Sequence, residues 1–165
     1  MALLLNPPFK KIMELIISSP VFNENGLIPT KYTADGQKVN PPLVIDNIPD
    51  GTIRMALIME DPDAPKGTVT HWVLWDINPV GSIGENSEPG VSGVNTMGKM
   101  GYLPPNPPSG RHRYYFHVFA LNSSIDLRPG SDRSALEAEM KDHILASGTL
   151  MGRYGKTAVH QENAN

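Results

Sequence analysis

Proline restricts this chain more than any other residue. Its sixteen copies are spread along the sequence rather than gathered in one linker. They recur as Asn6-Pro7-Pro8, Asn40-Pro41-Pro42, Asp61-Pro62-Asp63-Ala64-Pro65 and a run from Leu103 to Pro108. Inside a helix, proline removes a hydrogen bond and clashes with the preceding turn; inside a central strand it removes a ladder donor. Long helices are therefore excluded over most of the chain, and strands must stop where the proline clusters begin. With fifteen glycines added, the two residue types reach nearly a fifth of 165 residues, against roughly 12% in average usage. Such spacing predicts short strands tied by many loops.

The apolar runs between the prolines fit that expectation. Residues 14 to 17 and 43 to 46 read as short strands. Residues 53 to 60 are almost continuously apolar, as in a strand covered on both faces, and end at Asp61-Pro62. Residues 69 to 77 form the next strand, where period-two alternation places Val69, His71, Val73, Trp75 and Ile77 on one face. Residues 112 to 121 are aromatic and β-branched and predict the longest strand. Asn23–Gly26 and Asp35-Gly36 read as turns.

One segment reads as helix. Ser134-Ala135-Leu136-Glu137 has capping-box spacing, Leu136, Met140 and Ile144 recur every fourth residue, and Gly148 stands where a C-terminal cap belongs. The expected fold is mainly β: two packed antiparallel sheets, β-sandwich-like, with a C-terminal helix.

Length predicts a single domain, expected over residues 13–160, with an N-terminal extension over 1–12 and a tail over 161–165. At this size roughly 70% of the unfolded chain's surface is buried on folding, so a core forms without staples. A net charge of −3 argues against nucleic acid and against a polybasic membrane anchor. Met1–Leu5 is apolar but too short for a secretory h-region or a membrane span, and Lys10-Lys11 follow it instead of preceding it. The absence of cysteine excludes disulfides and thiol chemistry and fits a reducing compartment, so the expected location is cytoplasmic.

The unusual polar residues collect in three places. Asp61-Pro62-Asp63 follows an apolar strand, and its prolines hold two carboxylates in fixed directions. His71 lies early in the next strand. Gly110-Arg111-His112-Arg113-Tyr114 opens the longest strand. Alternation puts His112 and Tyr114 on one face, lining a pocket, and Arg113 on the other, where it can grip a carboxylate with both arms of its fork. Each piece alone has a plain explanation: Asp-Pro is a common turn opener, and a strand histidine such as His117 is usually a hydrogen-bonded structural group. The combination departs from that, because sheet packing can bring all three to one edge.

Together these segments resemble the phosphatidylethanolamine-binding protein (Raf kinase inhibitor-like) family, in its bacterial and archaeal branch. Asp61-Pro62-Asp63-Ala64-Pro65 is similar to the first family signature and Gly110-Arg111-His112-Arg113-Tyr114 to the second. Further landmarks follow in order: Ser19-Pro20-Val21-Phe22, Asn40-Pro41-Pro42-Leu43, Thr70-His71-Trp72, Gly101-Tyr102 and Leu150-Met151-Gly152-Arg153-Tyr154. The resemblance implies a β-sandwich-like fold with a small cavity that binds an anion, phosphate or a phosphoethanolamine-like headgroup. It implies ligand-binding roles for Asp61, Pro62, Asp63, His71, Gly101, His112 and Tyr114, with Gly110, Arg113 and Tyr154 in support. It implies no cofactor, no metal and no catalysis. Where relatives commonly carry Gly-Gly-Pro-Cys-Pro-Pro, this chain has Leu103-Pro104-Pro105-Asn106-Pro107-Pro108. That loop offers an anion fewer backbone N–H groups.

Two other readings stand beside this one. Two aspartates and two histidines can hold zinc or run acid–base hydrolysis, although there is no His-Glu-x-x-His and no nucleophile elbow. The resemblance also implies inhibition of a kinase or serine protease through a surface, for which the proline-rich loop at 103–109 is a rigid contact.

Overall fold

The computed structural model describes residues 12–156. Most of the expected extension over 1–12 and the whole tail over 161–165 lie outside the described residues. The elements run β1 (Met13–Glu14), β2 (Ile16–Ser18), a 3-10 turn (Thr30–Tyr32), β3 (Leu43–Asp46), β4 (Arg54–Asp61), β5 (Val69–Ile77), β6 (Ser82–Ile83), β7 (Val91–Ser92), β8 (Arg111–Leu121), α1 (Arg133–Met140) and β9 (Ile144–Gly155). They form a six-stranded sheet in the order β1-β9-β8-β4-β5-β7 and a three-stranded sheet in the order β2-β3-β6. Pairing is antiparallel except between β1 and β9. The mainly β class, the two sheets and the C-terminal helix are as the sequence predicts.

The large sheet is buried on both faces, which explains the near-continuous apolar run of β4. On one face Met55, Leu57, Met59, Tyr114, Phe116 and Val118 pack with Leu43 and Ile45 of the small sheet. On the other, Ala56, Ile58, Val73 and Trp75 pack under α1 and the segment leading to it, through Ile125, Leu136 and Met140. Fully buried residues such as Leu57 and Phe116 each contribute about 1.5–3 kcal/mol.

The helix differs from its expectation in both ends and length. Its N-cap is Asp132, whose carboxylate accepts the Ala135 N–H; Ser134 lies inside the first turn. It stops at Met140, and Ile144 and Gly148 belong to β9, the longest strand. Leu136 and Met140 do face the second core at helical spacing, and Ile144 reaches the same core from a strand, so a four-residue repeat spans two different elements. Gly148 is required by packing, because a Cβ there would stand 2.2 Å from the Leu15 carbonyl oxygen.

Strict alternation also fails in β5. Its pairing with β4 slips between Met55 and Leu57 and again between Met59 and Glu60. The first slip falls at Asp76, held at φ 52°. The second leaves His71 as an extra residue, since Met59 pairs with Trp72 and Glu60 with Thr70. Ile77 therefore turns to the face of Trp72 and Leu74, while Val73 and Trp75 lie opposite. The expected common face for His71, Val73, Trp75 and Ile77 does not exist.

Candidate functional site

Antiparallel order decides where the polar residues meet. β4 runs between β8 and β5, so its C-terminal end, Asp61, lies beside the N-terminal ends of both neighbours. Those ends carry His112 and His71. A cavity of about 380 Å³ opens there, lined by Asp61, His71, His112 and Tyr114 together with Val69, Leu103, Pro104 and Pro107. Asp61, His71 and His112 are 3%, 4% and 6% exposed, and Tyr114 is fully buried. Two signatures distant along the chain thus share one hollow.

The bulge at His71 matters at this point. It turns the ring onto the cavity side, edge-on to Tyr114 with centroids 5.3 Å apart. The ring Nδ1 lies 2.7 Å from the Leu103 carbonyl, which can only accept, so Nδ1 carries the proton. The neutral ring then keeps its lone pair on Nε2. Burial pushes the His71 pKa below its ordinary value and the His112 charge adds to this, against the Leu103 hydrogen bond and the Asp61 charge.

Asp61 presents no idle oxygen. Its Oδ1 accepts the Asp63 N–H at 2.8 Å, an Asx turn closed by the proline-stiffened hairpin. Its Oδ2 lies 2.7 Å from His112 Nδ1. That contact keeps Nδ1 protonated, so a further proton on His112 must sit on Nε2, away from the carboxylate. Asp63 points elsewhere. The Arg113 fork grips it through Nε at 2.9 Å and Nη2 at 2.8 Å, and the Arg113 backbone N–H adds a third bond at 2.9 Å. The Arg113 hydrogen bond and charge hold the Asp63 carboxyl at about 2. The second carboxylate is neutralised outside the cavity, as alternation along β8 predicts.

Tyr114 supplies the feature without a protein explanation. Its hydroxyl is buried and has no hydrogen-bond partner among the described residues, and the residue lines the cavity. Burial raises its pKa well above the phenol range, with the Asp61 charge adding to the effect, so the group remains a donor. The indole N–H groups of Trp72 and Trp75 are also unpartnered, but neither residue lines the cavity.

The other expected site residues are placed differently. Pro62, Asp63, Gly110 and Arg113 shape and latch the loops without lining the hollow. Gly101 borders a neighbouring depression with Glu88 and Tyr102. Its φ of 94° and the 2.5 Å left between an added Cβ and Glu88 Oε1 make it a turn residue. Tyr154 pairs with His112 in the sheet, but its hydroxyl donates to Asp35. Leu103, Pro104, Pro107, Val69 and Lys66 join the lining. The sequence marks 103–109 as a loop over the pocket or a contact surface, and singles out none of these five residues as ligand-facing. No group of three or more His, Asp or Glu among the described residues is arranged to hold a metal ion.

Comparison with known proteins agrees with this geometry. The family model described as phosphatidylethanolamine-binding protein matches residues 18–155. A UPF0098 protein of Pyrococcus horikoshii is 42% identical over 86% of this chain and 77% of its own. One from Aquifex aeolicus is 42% identical over 87% of this chain and 88% of its own. The crystal structure of a phosphatidylethanolamine-binding protein homologue from Chlamydia trachomatis superposes with a TM-score of 0.84 at 35% identity, covering 87% of this chain and 99% of that one. YbcL of E. coli shares the fold alone, with a TM-score of 0.79 at 23% identity over 87% of this chain and 99% of its own. With the signatures, the two-sheet fold and these relatives in agreement, the chain belongs to the phosphatidylethanolamine-binding protein family, in its bacterial and archaeal branch.

Proposed function

We propose that this protein binds a small anionic group, a phosphate or phosphate-like headgroup, in the cavity at the end of β4, and that it does so without catalysis. The buried Tyr114 hydroxyl carries the reading. A buried donor without a partner costs about 1–3 kcal/mol, and an acceptor supplied by a ligand removes that cost. His112 gains a second donor on Nε2 when protonated, and Lys66 at the rim adds a positive charge. The matching family is described as phosphatidylethanolamine-binding, and the Chlamydia trachomatis protein as a homologue of such proteins, which supports a phosphate-bearing ligand.

The same geometry disfavours hydrolysis. Asp61 holds the His112 imidazole and the Asp63 N–H, an orienting role that needs no proton transfer from a substrate. The described lining has no serine, threonine or cysteine to act as a nucleophile.

A crystal soaked in phosphate tests the reading, paired with calorimetric titration. The expected result is an anion within hydrogen-bond distance of the Tyr114 hydroxyl and of at least one imidazole Nε2, with saturable heat. A cavity holding only water at millimolar phosphate, with no heat for any phosphate ester, overturns it.

A further inference from the structure

We propose that the ligand is a free small molecule whose anionic group carries a short apolar substituent, and that Leu103 and Pro104 set this preference. The inference rests on the anion-binding reading above and narrows its ligand class.

Asp61 contacts His112 and His71 contacts Tyr114, so the lining's titratable groups other than Lys66 are clustered. Among the described residues, Lys66 and Asn106 are the only polar ones in the rest of the lining, whose walls include Val69, Leu103, Pro104, Pro107 and Pro108. Three of these are prolines without an N–H. The Leu103 N–H is spent on the His71 carbonyl at 2.8 Å, and its carbonyl accepts from His71 Nδ1 at 2.7 Å. Leu103 is thus clamped to the site by two hydrogen bonds and stands beside the ligand space as a fixed wall. An anion seated among the polar groups finds few further donors and much apolar surface. An alkyl or aryl group on the anion covers that surface and displaces water from it, which is favourable.

Charge points the same way. A phosphoethanolamine head would place an ammonium among these walls, where the charged residue at the rim, Lys66, is itself a cation. Each Asp61 oxygen already accepts one hydrogen bond, from the Asp63 N–H and from His112, so an ammonium would have to share them. Burying a poorly paired ammonium is costly, so a zwitterionic head is the poorer fit. About 380 Å³ holds one small ligand, so the acyl chains of a two-chain lipid would stay outside and cover none of these walls.

Four ligands measured by calorimetry on the intact protein decide the matter: phenyl phosphate, inorganic phosphate, O-phosphoethanolamine and vesicles of phosphatidic acid. Phenyl phosphate is expected to bind at least about tenfold tighter than inorganic phosphate. O-phosphoethanolamine is expected to bind no tighter than phosphate, and vesicles not at all. Leu103→Gly retains the N–H and carbonyl that bond His71 and should bring phenyl phosphate to within about threefold of phosphate, the readout being the ratio of the two affinities in the same variant. Pro104→Ala serves as a second variant, with the thermal midpoint as the folding check. Equal binding of all soluble anions, tighter O-phosphoethanolamine, or binding to vesicles alone overturns this inference and leaves the anion site standing. Failure of every ligand overturns both.

Discussion

β4 and β8 carry two histidine–carboxylate pairs, one on each face of the large sheet. On the cavity side Asp61 meets His112 at 2.7 Å, and on the helix side Glu60 meets His117 at 2.8 Å. Residue types and distances are almost the same, and the surroundings are opposite. Around His117 every polar group is answered: Nδ1 lies 2.8 Å from the Thr149 hydroxyl, Arg133 binds the other oxygen of Glu60, and Glu137 binds Arg133. Burial opposes the charge on Glu60, yet the hydrogen bonds from Arg133 and His117 hold its pKa below the ordinary value. Around His112 the accounting stays open, with a buried phenol lacking a partner and a cavity beside it. A histidine paired with a carboxylate does not mark a ligand site; an unanswered donor beside a cavity does.

The largest expected effect tests that contrast directly. Tyr114→Phe removes the unanswered hydroxyl and should weaken anion binding by about 1.5–3 kcal/mol, roughly ten- to a hundredfold. Its urea midpoint should not fall, because the lost group bonds to nothing in the protein. A lower midpoint with unchanged affinity would break the comparison. The mirror substitution, Glu60→Gln, weakens a closed network and should cost about 1–2 kcal/mol of stability in urea unfolding, with affinity within about twofold. A large affinity loss there would show that the two faces act as one unit.

The third effect concerns pH. An anion seated beside His71 favours its protonated form, so binding should tighten as pH falls. Burial depresses the free His71 pKa, so the gain in affinity should continue below the ordinary value of 6.5 before it levels off. By linkage, the unliganded protein should also lose stability as pH drops below 6.5, since the unfolded chain takes up the proton more readily. Titrations at several pH values check this, and His71→Gln should flatten the slope.

Much of this contrast is legible in the sequence, and the illegible parts share a cause. Alternation along β8 correctly separates His112 and Tyr114 from Arg113, because β8 pairs with β9 without a slip from Arg111 to Ala120. Alternation along β5 fails because two bulges interrupt it, and a bulge depends on pairing with a partner strand that a local pattern cannot see. β9 is missed for a related reason. Gly148 and Gly152 alternate with the core residues Ala146, Leu150 and Tyr154, and they are small because Leu15, Phe22 and Ile28 press against that face. Glycines four apart, inside a stretch that ends in Leu-Met-Gly-Arg-Tyr, are the available signal for a strand crossed closely by other backbone. The unpartnered Tyr114 hydroxyl has no sequence signal, since lacking a partner is a property of the assembled surroundings.

The smallest expected effect belongs to the latch between the two signature loops. Asp63 accepts three hydrogen bonds from Arg113, but the pair is exposed, so solvent screening leaves it little weight in overall stability. Asp63→Asn should therefore shift affinity at neutral pH by less than about threefold, through loosening of the hairpin that also holds Asp61. Its clearer signature lies in acid. With Arg113 holding the folded pKa at about 2 against an ordinary value of 3.8, the contribution of Asp63 is complete above 3.8 and is lost as pH falls toward 2. Thermal midpoints measured across that window should fall less steeply for Asp63→Asn than for the unsubstituted protein. Parallel curves would place the acid sensitivity elsewhere and reduce the fork to a surface contact without energetic weight.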